Sequence, residues 1–129
     1  MKKLLKVVLV LIVLFILISG GFLFYLSRGL EAGSQLVSHD VNLLLLDDGV
    51  YLGKYDGGRW SNEVAVKIKN HKISEITIIN DVMFSKPEVI DELFSRVTEN
   101  QSVNVDVVSG ATVTSKAYLK SIEHALKNQ

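Results

Sequence analysis

A short stretch near the C-terminus, SGATVTS at positions 109–115, carries side-chain hydroxyls on Ser109, Thr112, Thr114 and Ser115. Gly110 and Ala111 lie between them and add little bulk, so a ligand or another backbone can approach closely. The residues that follow have helical periodicity, and a helix N-terminus presents unpaired N–H groups and the positive end of its dipole. Hydroxyls beside such a helix end favour a phosphate or another anion.

A simple helix cap is the alternative. A Ser or Thr that precedes a helix accepts a hydrogen bond from an N–H group of the first turn. Thr114 or Ser115 would then be the N-cap of a helix predicted over residues 115–128, and the rest of the stretch would form a tight turn. Taken by itself, the spacing favours the cap and leaves the anion site open.

Three β-rich runs precede this stretch and predict an antiparallel meander. They are GVYLGKY at 49–55, NEVAVKIKN at 62–70 and ISEITIIND at 73–81. In the second run, apolar and polar residues alternate with period two, as in a half-buried strand. We predict a further short strand over 102–108, SVNVDVV, and expect the four leucines at 43–46 to fill the core or cover the sheet.

Two helices complete the domain. We expect Ser85 and Glu88 to form a capping box, with Pro87 in the first turn. The apolar face of this helix comprises Val89, Ile90, Leu93, Phe94 and Val97. The last helix carries an apolar stripe of Tyr118, Leu119, Ile122, Ala125 and Leu126. The predicted fold is therefore α+β: a small antiparallel sheet, made of a three-stranded meander plus a short strand, with two helices.

An uncharged run of twenty residues, 7–26, precedes this domain. It would span roughly 30 Å as a helix, which is the thickness of a bilayer's hydrocarbon core. Lys2, Lys3 and Lys6 precede the run, so the positive-inside rule places the N-terminus in the cytoplasm and the domain outside. A cleaved signal peptide is the alternative, but its apolar core would be shorter. We divide the chain into an anchor at 1–27, a linker at 28–42 and a domain at 43–129.

The composition excludes several classes of function. The chain has no cysteine, so thiol redox chemistry and thiolate metal ligation are excluded. Without its three N-terminal lysines it has a net charge of −3, which gives no electrostatic footprint for nucleic acid. His39, His71 and His124 have no neighbours at metal-ligand spacing, and no catalytic constellation of a stand-alone enzyme is evident.

The stretch DVVSGATVTS at 106–115 resembles the signature of the FMN-binding domain family. That signature is an Asp, two variable residues, Ser or Thr, Gly, Ala, and Thr or Ser. The flanks resemble the family as well, namely DGVYLGKY, GGRW, VAVKIKNHKISEITI and QSVNVD. The resemblance covers about residues 48–126, and it favours the anion site over the plain cap. The family includes flavinylated subunits of sodium-pumping NADH:quinone reductase and small membrane-anchored proteins.

The resemblance implies a role for each residue of the motif. Thr112 would be joined to the FMN phosphate as a phosphoester by a separate Mg²⁺-dependent flavin transferase that uses FAD, outside the cytoplasmic membrane. Asp106, Ser109, Gly110 and Ala111 would form its recognition sequence. The hydroxyls of Thr114 and Ser115 would stabilise the remaining phosphate charge.

The resemblance also implies an electron carrier, or a subunit of a redox complex, with membrane or extracytoplasmic redox partners. Non-covalent FMN binding and a non-redox accessory subunit remain alternatives. Candidates for stacking on the flavin ring are Tyr51, Tyr55, Trp60 and Tyr118.

Overall fold

The computed structural model describes residues 1–127 as an N-terminal helical part followed by an α+β domain, which confirms the predicted fold class. The elements are α1 (Lys2–Ser27), α2 (Leu30–Ser34), β1 (Gly49–Tyr55), β2 (Asn62–Lys69), β3 (Lys72–Asn80), α3 (Pro87–Asn100) and α4 (Thr112–Lys127). Short 3₁₀ turns lie at Leu43–Leu45 and Gly58–Trp60. Asn128, the predicted end of the last helix, is outside the described residues.

The three strands form an antiparallel sheet in the order β1-β2-β3, so the predicted meander is confirmed. The alternation in β2 sets its two faces, because Val64, Val66 and Ile68 are all buried. Asn70 and His71 both have positive φ at the tight turn between β2 and β3. A two-residue hairpin of type I′ requires that conformation.

Helix α4 packs directly on the inner face of the sheet. A Cβ atom on Gly53 of β1 would lie 2.0 Å from the carbonyl oxygen of Ser121, so only glycine permits this approach. The predicted apolar stripe of α4 is buried as expected. The predicted face of α3 is also confirmed, with Val89, Leu93 and Val97 buried.

The predicted fourth strand is wrong. Residues 102–108 pair with no strand of the described chain, although Val103 and Val108 are buried. Side chains bond this backbone instead: the Asp40 carboxylate accepts from the Val103 N–H (3.1 Å), and the Arg96 guanidinium donates to two carbonyls further along. The alternation therefore reflects alternate burial without a ladder.

One smaller prediction is also wrong, and another is confirmed only in part. Lys86 is the N-cap of α3 and makes no side-chain capping bond, so Ser85 and Glu88 form no capping box. Of the four leucines, Leu46 is buried and Leu43 packs against the core, whereas Leu44 and Leu45 are 71% and 81% exposed because the 3₁₀ turn directs them away from the core.

The linker residues pack against the domain. Lys116 and Lys120 of α4 donate to the carbonyl oxygens of Ser34 (2.6 Å) and Val37 (3.3 Å). The Asp40 carboxylate accepts from Ser102 (2.5 Å) at the other end of the segment. The domain is therefore held close to the C-terminal end of α1.

Helix α1 is long and apolar enough to cross a membrane. The helical region at residues 2–34 has a mean hydropathy of 3.1 in its most apolar window, none of which is buried. A signal sequence has the same features. The structure is thus consistent with an N-terminal helix that could span a membrane.

Candidate functional site

The motif turn lies between residues 108 and 111, and a hydrogen bond closes it. The Ala111 N–H donates to the Val108 carbonyl at 3.0 Å, and Gly110, the third residue of the turn, has φ = +79°. Turns of this kind favour glycine at that position. A Cβ atom on Gly110 would meet no atom of the described residues within 4 Å, so the backbone conformation, and not lack of space, is the reason for glycine.

Helix α4 begins immediately after this turn, at Thr112. The first α-helical hydrogen bond runs from the Ser115 N–H to the Ala111 carbonyl at 2.8 Å. The N–H groups of residues 112–114 therefore have no acceptor within the helix. Such N–H groups and the helix dipole favour an anion, and the anion site itself stays a prediction.

The predicted N-cap is wrong, since Thr114 and Ser115 are the third and fourth residues of the helix. The helix starts earlier because the turn positions Ala111 to accept its first hydrogen bond. The buried Ser115 hydroxyl accepts from the Val108 N–H at 3.1 Å, which ties the segment before the turn to the helix. Its role is structural and its oxygen is not available to a ligand.

The motif residues lie on different sides of the turn. Asp106, Ser109 and Thr112 are exposed, and Asp106 and Ser109 line a shallow hollow against the end of α3. Gly110, Ala111 and Thr114 instead face the 3₁₀ turn Gly58–Trp60. The motif therefore presents one side to solvent, including the Thr112 side chain, and another to a cleft.

This cleft has a volume of about 180 Å³. Its walls comprise Arg59, Trp60, Val82, Phe84, Lys86, Val89, Gly110, Ala111 and Thr114. A backbone hydrogen bond joins two of the segments that line the cleft, since the Met83 N–H donates to the Arg59 carbonyl at 2.9 Å. The position of Trp60 is also fixed by a hydrogen bond, since its backbone carbonyl accepts from the side-chain amide of Asn62 at 3.0 Å.

Of the four aromatic candidates, Trp60 alone lines this cleft. Tyr118, a residue of α4, is fully buried and donates to the Asp81 carboxylate; burial first, and then that bond, raise its pKa. The Tyr51 hydroxyl bonds the Asp47 carbonyl at 2.7 Å, away from the motif. Burial raises the pKa of Tyr55, which is half-buried.

Sequence reasoning missed Arg59, Phe84 and Lys86. The Arg59 guanidinium lies 4.2 Å from the centre of the Trp60 ring and 5.6 Å from that of Phe84. Arg59 directly precedes a residue that was already a candidate, and Phe84 is an aromatic residue outside any periodic element. These two sequence features could have identified Arg59 and Phe84 as candidates. Within residues 1–127 no group of three or more His, Asp or Glu side chains could hold a metal.

A family comparison agrees with the site. No curated protein matches this chain. The sequence model of the FMN-binding domain matches residues 58–127, which include the 3₁₀ turn with Arg59 and Trp60, the motif turn and all described residues of α4. The match spans more than half of the chain, and the protein therefore belongs to the FMN-binding domain family.

Proposed function

We propose that the FMN of this domain is attached covalently to Thr112 through a phosphoester, and that the protein carries electrons at the membrane. The observation that carries this proposal is the position of Thr112. Its side chain is exposed on the first residue of α4, beside N–H groups that have no acceptor within the helix. A hydroxyl in this place is accessible before attachment, and its phosphoester is stabilised afterwards.

The attachment requires another enzyme. A flavin transferase would place the Thr112 oxygen on the flavin-side phosphorus of FAD, and AMP would leave as the pyrophosphate bond breaks. The exposure of Asp106, Ser109 and Gly110 supports this step, because the transferase must read these residues to find its substrate. Ser115 acts indirectly by fixing the turn that presents Thr112.

The residues present fit a bound phosphodiester. The N–H groups at residues 112–114 and the helix dipole favour its single negative charge. Lys116, the nearest cation along the helix, donates to the Ser34 carbonyl instead, so the backbone would hold the phosphate. When bound, the flavin supplies one- and two-electron redox chemistry, while the protein positions it and tunes its potential.

The contact between the end of α1 and the 3₁₀ turn Gly58–Trp60 supports a membrane role. If α1 spans the membrane, this turn lies at the membrane surface, and the cleft beside it lies there too. The three lysines at the N-terminus favour a cytoplasmic N-terminus and an extracytoplasmic domain. We therefore propose a membrane electron donor and an extracytoplasmic acceptor, or a place in a larger redox complex.

Co-expression with a flavin transferase tests the attachment. The wild-type chain should give a flavin-fluorescent band that survives denaturing electrophoresis, and Thr112→Val should abolish it because the acceptor oxygen is gone. Thr112→Ser keeps a hydroxyl and should retain some fluorescence. Thr77→Val, the same change on an exposed strand residue, is the matched control.

Three results would contradict the proposal. Flavin that purifies with the native protein but is released by denaturation would indicate non-covalent FMN. A band that persists in Thr112→Val would move the attachment to another residue. A chain that takes up no flavin with or without the transferase would instead indicate a non-redox accessory subunit.

A further inference from the structure

The cleft beside the motif turn is suited to the flavin ring itself. We propose that the isoalloxazine ring docks in this cleft against the side chains of Arg59, Trp60 and Phe84. This inference rests on the FMN binding of the domain and adds the residues that contact the ring. Gly110, Ala111 and Thr114 also line the cleft, so the ring would lie beside the turn that directly precedes the attachment point.

The size of the cleft favours the ring over the whole cofactor. Its volume of about 180 Å³ is below the roughly 300–1,000 Å³ of typical ligand pockets. Thr112 does not line it. The phosphate would therefore stay at the helix N-terminus, and the ribityl chain would cross the short distance from there into the cleft.

Arg59 provides an unmet hydrogen-bonding group. Its Nε is fully buried and has no hydrogen-bond partner within the described residues. A buried donor without an acceptor is costly, and native structures rarely leave one unpaired. Because this atom has no exposed surface, a flavin carbonyl oxygen or ring nitrogen would accept from it only after the Arg59 side chain, which lines the cleft, shifts as the ring enters.

Trp60 and Phe84 provide the apolar surface. The buried Trp60 ring and the 56% exposed Phe84 ring both lie near the Arg59 guanidinium, which is 4.2 Å and 5.6 Å from their centres. Aromatic rings stack favourably on other planar π-systems, and arginine stacks on them as well. Phe84 would lose exposed apolar area when a planar ring enters the cleft.

The charge of the cleft predicts an effect on the flavin potential. Arg59 and Lys86 both line it, and no carboxylate within residues 1–127 does. Reduction of a flavin adds electrons, and nearby cations favour the reduced form. Removing the Arg59 charge should therefore lower the midpoint potential of the bound flavin.

The test uses the full-length flavin-loaded protein in detergent. Trp60, the single tryptophan of the chain, should quench flavin emission by direct contact. We expect Trp60→Phe to raise the emission per bound flavin severalfold, and Phe84→Ala to shift the visible absorption maximum. Arg59→Gln should lower the midpoint potential.

Matched controls lie away from the cleft. Tyr51→Phe changes an aromatic residue of β1, and Lys67→Gln removes a charge from the exposed face of β2. Both should leave emission, absorption and potential at the wild-type values. Phe84 is exposed, so its substitution tests the inference even if the Trp60 variant folds poorly.

The cleft and the attachment can fail separately. If all three cleft variants keep the wild-type emission, absorption and potential while they fold and retain flavin, the ring binds elsewhere and the inference is wrong. If the flavin is released by denaturation but its emission still rises in Trp60→Phe, the cleft assignment stands and the covalent attachment is wrong. If no flavin binds, both are wrong.

Discussion

The carbonyl oxygen of Arg28 lies so close to Gly58 that a Cβ atom on this glycine would be 2.5 Å from it. The neighbouring residues are equally close, since a Cβ atom on Gly29 would be 2.7 Å from the Gly57 carbonyl oxygen. Gly29 and Gly58 both have positive φ. Two glycine backbones therefore join the end of α1 to the turn that carries one wall of the cleft.

Substitution of Gly58 should loosen this junction. Gly58→Ala forces an L-residue into a left-handed conformation, which costs about 1–2 kcal/mol, and it adds a clash with backbone. We expect the free energy of unfolding to fall by at least that amount in denaturant titrations. Gly49→Ala is the control, because its Cβ would have no neighbour within 4 Å in the part of the chain that the structure describes. Equal effects in the two variants would contradict the contact.

Removal of the Ser115 hydroxyl should destabilise the motif turn. Ser115→Ala leaves the buried Val108 N–H without its acceptor, which costs about 1–3 kcal/mol. Hydrogen exchange at Val108 should accelerate in step with the loss of unfolding free energy. Ser109→Ala changes an exposed serine of the same turn and should be nearly neutral. Unchanged exchange at Val108 in the Ser115 variant would disprove the bond.

Acid should weaken the domain through Glu123. Burial by itself raises the pKa of this carboxyl, but hydrogen bonds from Lys127 (2.6 Å) and Lys120 (3.1 Å) outweigh burial and hold it below its ordinary value. The ionised form therefore stabilises the fold at pH values above the ordinary pKa of about 4.3. This contribution disappears as the pH falls through the lowered pKa.

Unfolding measured between pH 3 and 7 checks this prediction. Glu123→Gln should lose roughly 1.5–3 kcal/mol at pH 7, as for hydrogen bonds to charged groups, and should depend less on pH than the wild type. Glu75→Gln, on an exposed strand position, should keep the wild-type pH dependence. A Glu123 variant with the wild-type acid profile would refute the assignment.

Alkali should weaken the domain through Tyr118. Burial and the hydrogen bond to Asp81 raise the pKa of this phenol, so its protonated form contributes stability below the ordinary pKa of about 10. That contribution is lost as the pH rises further. Tyr118→Phe should flatten the decline of stability above pH 10, whereas Tyr51→Phe should not. The check is urea unfolding monitored at a series of alkaline pH values.

Local patterns were enough to predict the three paired strands and the helices α3 and α4. The alternation in β2 and the apolar face of α3 indicate which side of each element is buried. The period of the apolar residues, two in β2 and close to 3.6 in α3, then indicates a strand or a helix. The same logic failed at 102–108, where alternate residues are buried but side chains, including that of Arg96, bond the backbone. Periodicity records burial and does not identify the hydrogen-bonding partner.

The sequence by itself determined the motif at 106–115, the apolar N-terminal run and the order of strands and helices, because each is written in neighbouring residues. Only the tertiary structure decided that α4 starts at Thr112, that Ser115 bonds the backbone at Val108, and that Arg59 and Phe84 face the motif across a cleft. These relationships join residues that packing brings together from separate parts of the chain. Their geometry depends on how α4 lies against the sheet, which no local pattern encodes.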